Sequence, residues 1–208
     1  MERLQFVILT IHILSGYLAF ISGGIVLSTR KGNSIHKKLG RLFYCSMLGV
    51  CFTSAYLAIV KDITMLLMIS VFVLYQTQAG YRSVKDKSLR PNVLDLLFLL
   101  TAFVNGVFML ISGNVVALVF GGITLFLVGQ DCRTYWLLSK GRVLPKQSWL
   151  RRHIGMMVGS FIGAITAFLV VNVNSFEPFW LIWLAPTMVF VPLMQYWTLK
   201  FTRNSKSI

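Results

Sequence analysis

Acidic side chains are scarce in this chain. Six Asp and Glu stand against twenty Lys and Arg in 208 residues, and charged types together make up 12%, about half the share usual in soluble domains. With 56% hydrophobic residues and a mean hydropathy of +0.74, an ordinary water-soluble globule is excluded. Cysteine is scarce too: Cys45, Cys51 and Cys132 form no C-x-x-C pair. Cys45 and Cys51 fall on different sides of one predicted helix, so neither a disulfide nor a metal knuckle is indicated. P-loop, Rossmann, G-x-S-x-G and H-E-x-x-H motifs are all missing, which leaves soluble-type enzyme chemistry without a motif. The first apolar run is too long for a signal-peptide core and lacks an A-x-A site, so it is read as retained.

What the chain does have is long uncharged runs, each able to cross roughly 30 Å of hydrocarbon as a helix. They predict an all-α fold, a polytopic seven-transmembrane-helix bundle forming one integral membrane domain over residues 1–208. The helices are expected at about 4–28, 38–60, 63–82, 92–112, 115–138, 151–173 and 179–200. Ser34 is the expected N-cap of the second, and Lys61-Asp62 a tight return to the third. Pro91 suits the first turn of the fourth. Leu96 to Gln130 is uncharged but too long for one crossing, and Gly113-Asn114 is the turn signal that divides it. Asn174-Ser175 and Glu177-Pro178 break the chain before the last helix.

The net charge of +14 would suggest nucleic acid if it formed a patch on a soluble domain. Here the cations sit in short segments between apolar runs. Eighteen of the twenty lie in segments on one side, leaving Arg3 and Lys61 on the other. The positive-inside rule then puts the N-terminus outside and the C-terminus in the cytoplasm. Trp180 and Trp183 are expected in the outer aromatic belt, and Trp136, Trp149 and Trp197 in the inner one.

The segment RRHIGMMVGSFIGAITAFLVVN, Arg151 to Asn172, organises the rest. Gly155, Gly159, Gly163 and Ala167 recur at every fourth position, spacing that lets a neighbouring membrane helix come close. His153, Met157, Ser160 and Ala164 fall on a different face.

Three blocks, HILSGYLAFISGGIVL, KGNSIHKKLGRLF and WLRRHIGMMVGSFIGAITAF with a closing WLAPT, carry a resemblance. Spanning Ile11 to Thr187, they resemble a bacterial family of predicted integral membrane proteins classed as a domain of unknown function. The resemblance implies the scaffold, makes the bacterial inner membrane the expected location and marks His12, His36 and His153 as its polar positions. It implies no reaction.

Ionisable groups in lipid usually face the protein interior and mark function. His12 shares its helix face with Gly16, Ala19 and Gly23. It reads either as an imidazole bonded to a neighbouring helix or as a haem ligand, metal ligand or proton relay. About fifteen residues, roughly 22 Å of helix, separate it from the inner end. Metal–nitrogen bonds are near 2 Å, so no single three-histidine zinc site is expected. The HxxxH pair of seven-helix zinc amidohydrolases of the ceramidase type is also absent. His36 and His153 stand at the inner starts of two helices, either as interfacial histidines or as ligands facing each other across the bundle.

A polar cluster is expected at the same level: Tyr75, Gln78 and Arg82 on the third helix, Asp95 on the fourth, and Gln130, Asp131 and Arg133 on the fifth. Asp95 also suits a helix N-terminus, and Asp131 a simple ion pair. Three functions compete. The first is a small redox protein with haem b between His36 and His153, Arg82 or Arg133 near its propionates, and quinone as partner. The second is a small-solute transporter using the polar cluster and the Pro186/Pro192 breaks. The third is a structural or assembly protein. The lipid bilayer is a partner in every case, and nucleic acid in none.

Overall fold

A computed structural model describes residues 2–173 and 177–203, the side chain of Arg203 excepted. The expected break at Asn174-Ser175 and the tail with Lys206 lie outside the described residues. Among those described, the chain forms seven α-helices: α1 (Glu2–Ser28), α2 (Ser34–Val60), α3 (Thr64–Lys85), α4 (Val93–Ile111), α5 (Val115–Ser139), α6 (Ser148–Asn172) and α7 (Trp180–Arg203). Five of them, α1, α2, α4, α5 and α6, are long and apolar enough to cross a membrane, the build of a multi-pass membrane protein.

α3 and α7 are also long, about 33 and 36 Å at 1.5 Å per residue, but less apolar. For α3 the reason is position. It packs against α2, α4, α5 and α6, and Ser70, Tyr75, Gln76, Thr77 and Ser83 are buried along it. Enclosed by protein, it exchanges apolar surface for hydrogen bonds that Ser70, Tyr75, Thr77 and Ser83 make to its neighbours. The outer helices do the reverse. Phe6, Leu14, Phe52, Ile59, Leu100, Phe108 and Phe126 all face outward, an apolar coat that would drive association in water and that lipid solvates.

Aromatic and sulfur side chains fill the core between α2, α3, α5, α6 and α7. Phe43 meets Phe161 edge-on at 6.1 Å, Phe72 meets Phe120 at 5.6 Å, and Phe120 meets Trp183 at 6.4 Å. Such tilted ring pairs add to plain area burial. Trp183, expected in an outer belt, is instead 5% exposed and belongs to this core, whereas Trp180 is exposed.

Local chemistry sets the helix ends. Asn33, not Ser34, caps α2: its side chain accepts the His36 backbone N–H at 2.7 Å, so α2 starts early enough to place His36 in its first turn. Pro91 precedes the cap of α4 rather than entering it. Asn92 and Asp95 form a reciprocal capping box there, at 2.8 and 2.9 Å, which satisfies two otherwise orphaned backbone donors. Gly113 takes φ +72°, and Asn114 then caps α5 by accepting from Val116 and Ala117 N–H. α6 begins at Ser148, one turn ahead of the expected start.

α3 and α6 approach closely through glycine. The ideal Cβ positions of Gly159 and Gly163 run into the side chains of Gln76 and Val73, and that of Gly80 lies 2.8 Å from Met157. Beside them the hydroxyls of Thr77 and Ser160 bond at 2.6 Å. Gly155, also in the expected stripe, has nothing within 4 Å of its Cβ position. A four-residue step advances about 400°, so such a stripe drifts by roughly 40° per step. The row that meets α3 is therefore Arg152, Met156, Gly159 and Gly163.

Candidate functional site

Asp131 and Arg152 lie in the protein interior at the end of the bundle that carries the basic turns. The Arg152 guanidinium grips both carboxylate oxygens, Nε to Oδ1 at 2.7 Å and Nη2 to Oδ2 at 2.6 Å. Its Nη1 donates to the Ala79 carbonyl at 2.8 Å and to Ser83 Oγ at 2.9 Å, while Nη2 also reaches Tyr135 Oη at 3.4 Å. Tyr75 donates its hydroxyl to Asp131 Oδ2 at 2.6 Å. A buried ion pair holds only when its remaining donors and acceptors are met, and here α3, α5 and α6 each supply partners.

A second charge group joins α3 to α4. Arg82 Nε contacts Asp95 Oδ2 at 3.2 Å, and its Nη2 contacts Asp86 Oδ2 at 3.1 Å. Asp86, in the loop after α3, accepts from Ser88 N–H at 2.9 Å. Hydrogen bonds from Ser88, then Arg82, hold its carboxyl below the usual carboxylate range. Between the two groups Tyr75, Gln78, Ala79, Asp95, Phe98 and Arg152 line a cavity of about 10 Å³, room for about one water. Gln78 accepts the Tyr44 hydroxyl at 2.7 Å, and the Tyr44 ring stacks on Tyr81 at 3.8 Å.

The three histidines divide by level. His12 Nδ1 lies 3.0 Å from Thr53 Oγ1. Thr53 gives its own proton to the Gly49 carbonyl, so His12 Nδ1–H is the donor and ties α1 to α2. His153 Nδ1 lies 2.9 Å from the Gly80 carbonyl; a carbonyl only accepts, so Nδ1 carries the proton and Nε2 is left with its lone pair. His36 is within electrostatic reach of His153 and Lys31, beside the Val26 carbonyl. Its Nδ1 is buried without a hydrogen-bond partner. Lys31 caps the end of α1, with Nζ donating to the Val26 and Leu27 carbonyls at 2.9 and 2.7 Å. It stands 5.2 Å over the Trp197 ring of α7. Burial pushes its ammonium below the ordinary lysine value.

Of the residues read from sequence, Tyr75, Gln78 and Asp95 line one small cavity; Asp131 stands behind it, bonded to Tyr75 and Arg152, and Arg82 behind Asp95. His36 and His153 are within electrostatic reach of each other, and His12 bonds instead to Thr53 on α2. Gln130 and Arg133 are exposed on α5, and neither side chain joins the network. Among the described residues no three His, Cys, Asp or Glu side chains converge as a metal site. Sequence reasoning missed Arg152, Ser83, Tyr135, Tyr44 and Lys31. Arg152 had a signal: it begins the i, i+4, i+7, i+11 row that continues through Met156, Gly159 and Gly163. No family model, curated protein or solved structure matches this chain.

Proposed function

We propose that the chain crosses the bacterial inner membrane seven times with its basic end in the cytoplasm, and that His36 and His153 hold a planar redox group there, haem b fitting the donor set best. The charge asymmetry supports the orientation. The orphaned His36 Nδ1 carries the reading of the site. Asp131 and Arg152 have their hydrogen-bonding capacity met by protein, which is how a structural staple is built. A buried imidazole nitrogen with no partner is costly, and a ligand would relieve that cost.

The donor chemistry fits. His153, steered by Nδ1–H to the Gly80 carbonyl, presents Nε2 as an oriented ligating histidine does. Lys31, rather than Arg82 or Arg133, supplies the cation within electrostatic reach of His36 and suits a porphyrin carboxylate. When bound, haem b brings one-electron chemistry, for which a membrane quinone is the matching partner class. An absorption spectrum of detergent-purified protein from haem-sufficient cells is the test. A Soret band that His36→Ala and His153→Ala abolish and His12→Ala keeps is expected. Colourless protein would sink the reading.

A second reading, small-solute transport, is favoured by one observation: Asp95 and Arg152 border a water-sized cavity with Gln78 and Tyr75. Pro186 and Pro192 within α7 would free carbonyls along such a path. Uptake or efflux lost in Asp95→Asn, with melting unchanged, would favour it over redox chemistry.

A further inference from the structure

On the same end of the bundle, but outside the polar core, the α3–α4 and α5–α6 loops enclose a pocket of about 400 Å³. Four cations line it, Lys87, Arg90, Arg142 and Lys146, together with Ser88, Gln147 and Ser148. No carboxylate is among the lining residues, and the neighbouring Asp86 is occupied by Arg82 and Ser88. In a chain with six acids and twenty bases, four cations around one concavity create a strong local field, and among the described residues none of the four is in an ion pair.

The pocket is also set for an interface. Lys87 Nζ stands 4.8 Å over the Trp149 ring, a contact that fixes both side chains on its wall. Leu138, Leu144 and Pro145 complete the lining, and Val143, at the loop tip, is 95% exposed. An apolar tip beside a basic hollow is the composition of a surface that touches acyl chains and headgroups together.

We propose that this pocket binds a phosphate ester, supplied by the headgroup of an anionic lipid in the adjoining leaflet. Arg142 and Lys146 on one loop, and Lys87 and Arg90 on the other, converge on the phosphate. Trp149 packs against the glycerol region, and Val143 and Leu144 meet the chains. The proposal rests on the membrane reading but not on the imidazole pair, whose absorption spectrum is read separately.

The test is thermal unfolding and native mass spectrometry of the detergent-purified full chain, titrated with phosphatidylglycerol, phosphatidylcholine or inorganic phosphate. Phosphatidylglycerol is expected to stay bound and raise the melting temperature, and phosphatidylcholine to do neither. Each cation near the surface is worth roughly fivefold in affinity, so the double variant Arg142→Gln/Lys146→Gln should weaken binding roughly twenty- to thirtyfold. The control Lys37→Gln/Lys38→Gln, at the same end but outside the pocket, should keep wild-type affinity. Equal stabilisation by phosphatidylcholine, or equal loss in the control, would overturn the site. Inorganic phosphate acting as strongly as phosphatidylglycerol would overturn the lipid as its source.

Discussion

Arg152 and Asp131 are joined along two parallel hydrogen bonds, 2.7 and 2.6 Å long, with the arginine on α6 and the carboxylate on α5. The pair joins two helices that have no extensive direct packing, and α3 fills the gap with Tyr75, Ala79 and Ser83. Removing one partner strands the other charge in the interior. Asp131→Ala should therefore cost about 3–5 kcal/mol, and Arg152→Ala a similar amount. The double variant Asp131→Leu/Arg152→Met should recover much of that loss. Equilibrium unfolding in mixed micelles checks it; additive losses in the double variant would mean the pair is not coupled.

Glycine substitutions on α6 should separate by position. Gly163→Ala drives a methyl into the Val73 side chain, a β-branched group with little freedom to turn. Overpacking of this kind costs roughly 1–3 kcal/mol. Gly159→Ala meets the end of the Gln76 side chain, which can swing away, so its cost should be smaller. Gly155→Ala meets nothing within 4 Å and should be neutral or stabilising, by up to about 1 kcal/mol from helix propensity. Melting temperatures in one detergent give the order. A destabilised Gly155→Ala would contradict the packing described.

The helices were legible in the sequence because uncharged runs alternate with basic turns, and lipid demands about twenty apolar residues per crossing. Their rotation was not. The four-residue glycine spacing points at Gly155, Gly159 and Gly163 together, yet only the last two meet α3, since the true contact row advances by four, three and four. The same ambiguity hid Arg152. Lying between Arg151 and His153, it reads as one more interfacial cation, and only the rotation of α6 turns it inward to Asp131. Asp131, Tyr75 and Asp95 were recognisable as costly groups in an apolar chain, but which cation meets which acid depends on how separate helices face each other. Gln130 and Arg133 flank Asp131 in sequence and lie on outward faces for the same reason. Trp183 shows the limit of belt reasoning, because an aromatic near a helix end can serve the core equally well.

Acid should weaken the α3–α4 junction. Hydrogen bonds from Ser88, then Arg82, hold the Asp86 carboxyl below its ordinary value, so the folded state binds its proton less readily than the unfolded chain. The stabilisation is complete above the unfolded carboxylate pKa, about 3.9. It is lost as pH falls through the lower folded value. The Asp86 side chain is 35% exposed, so solvent screens the pair and the effect is small. Asp86→Asn should lower stability slightly at pH 7 and flatten that part of the acid limb in melting curves between pH 5 and 3. A variant that tracks wild type throughout would remove the loop contacts from the account.

The orientation can be tested at two turns separated by a single helix. Val143, 95% exposed, follows α5 at the basic end, and Ser112, exposed, precedes α5 at the other. Cys45 and Cys132 are exposed and Cys51 buried, so the first two are replaced by alanine before one cysteine is introduced at either turn. In the proposed seven-crossing topology eighteen of the twenty cations fall on the Val143 side, and moving that end outward would require translocating most of the positive charge. Ser112→Cys should accordingly react with a membrane-impermeant maleimide on intact cells, and Val143→Cys only after permeabilisation. Labelling of both on intact cells would mean that α5 does not cross. The reversed pattern would put the basic end outside, and the phosphate pocket would then face the outer leaflet.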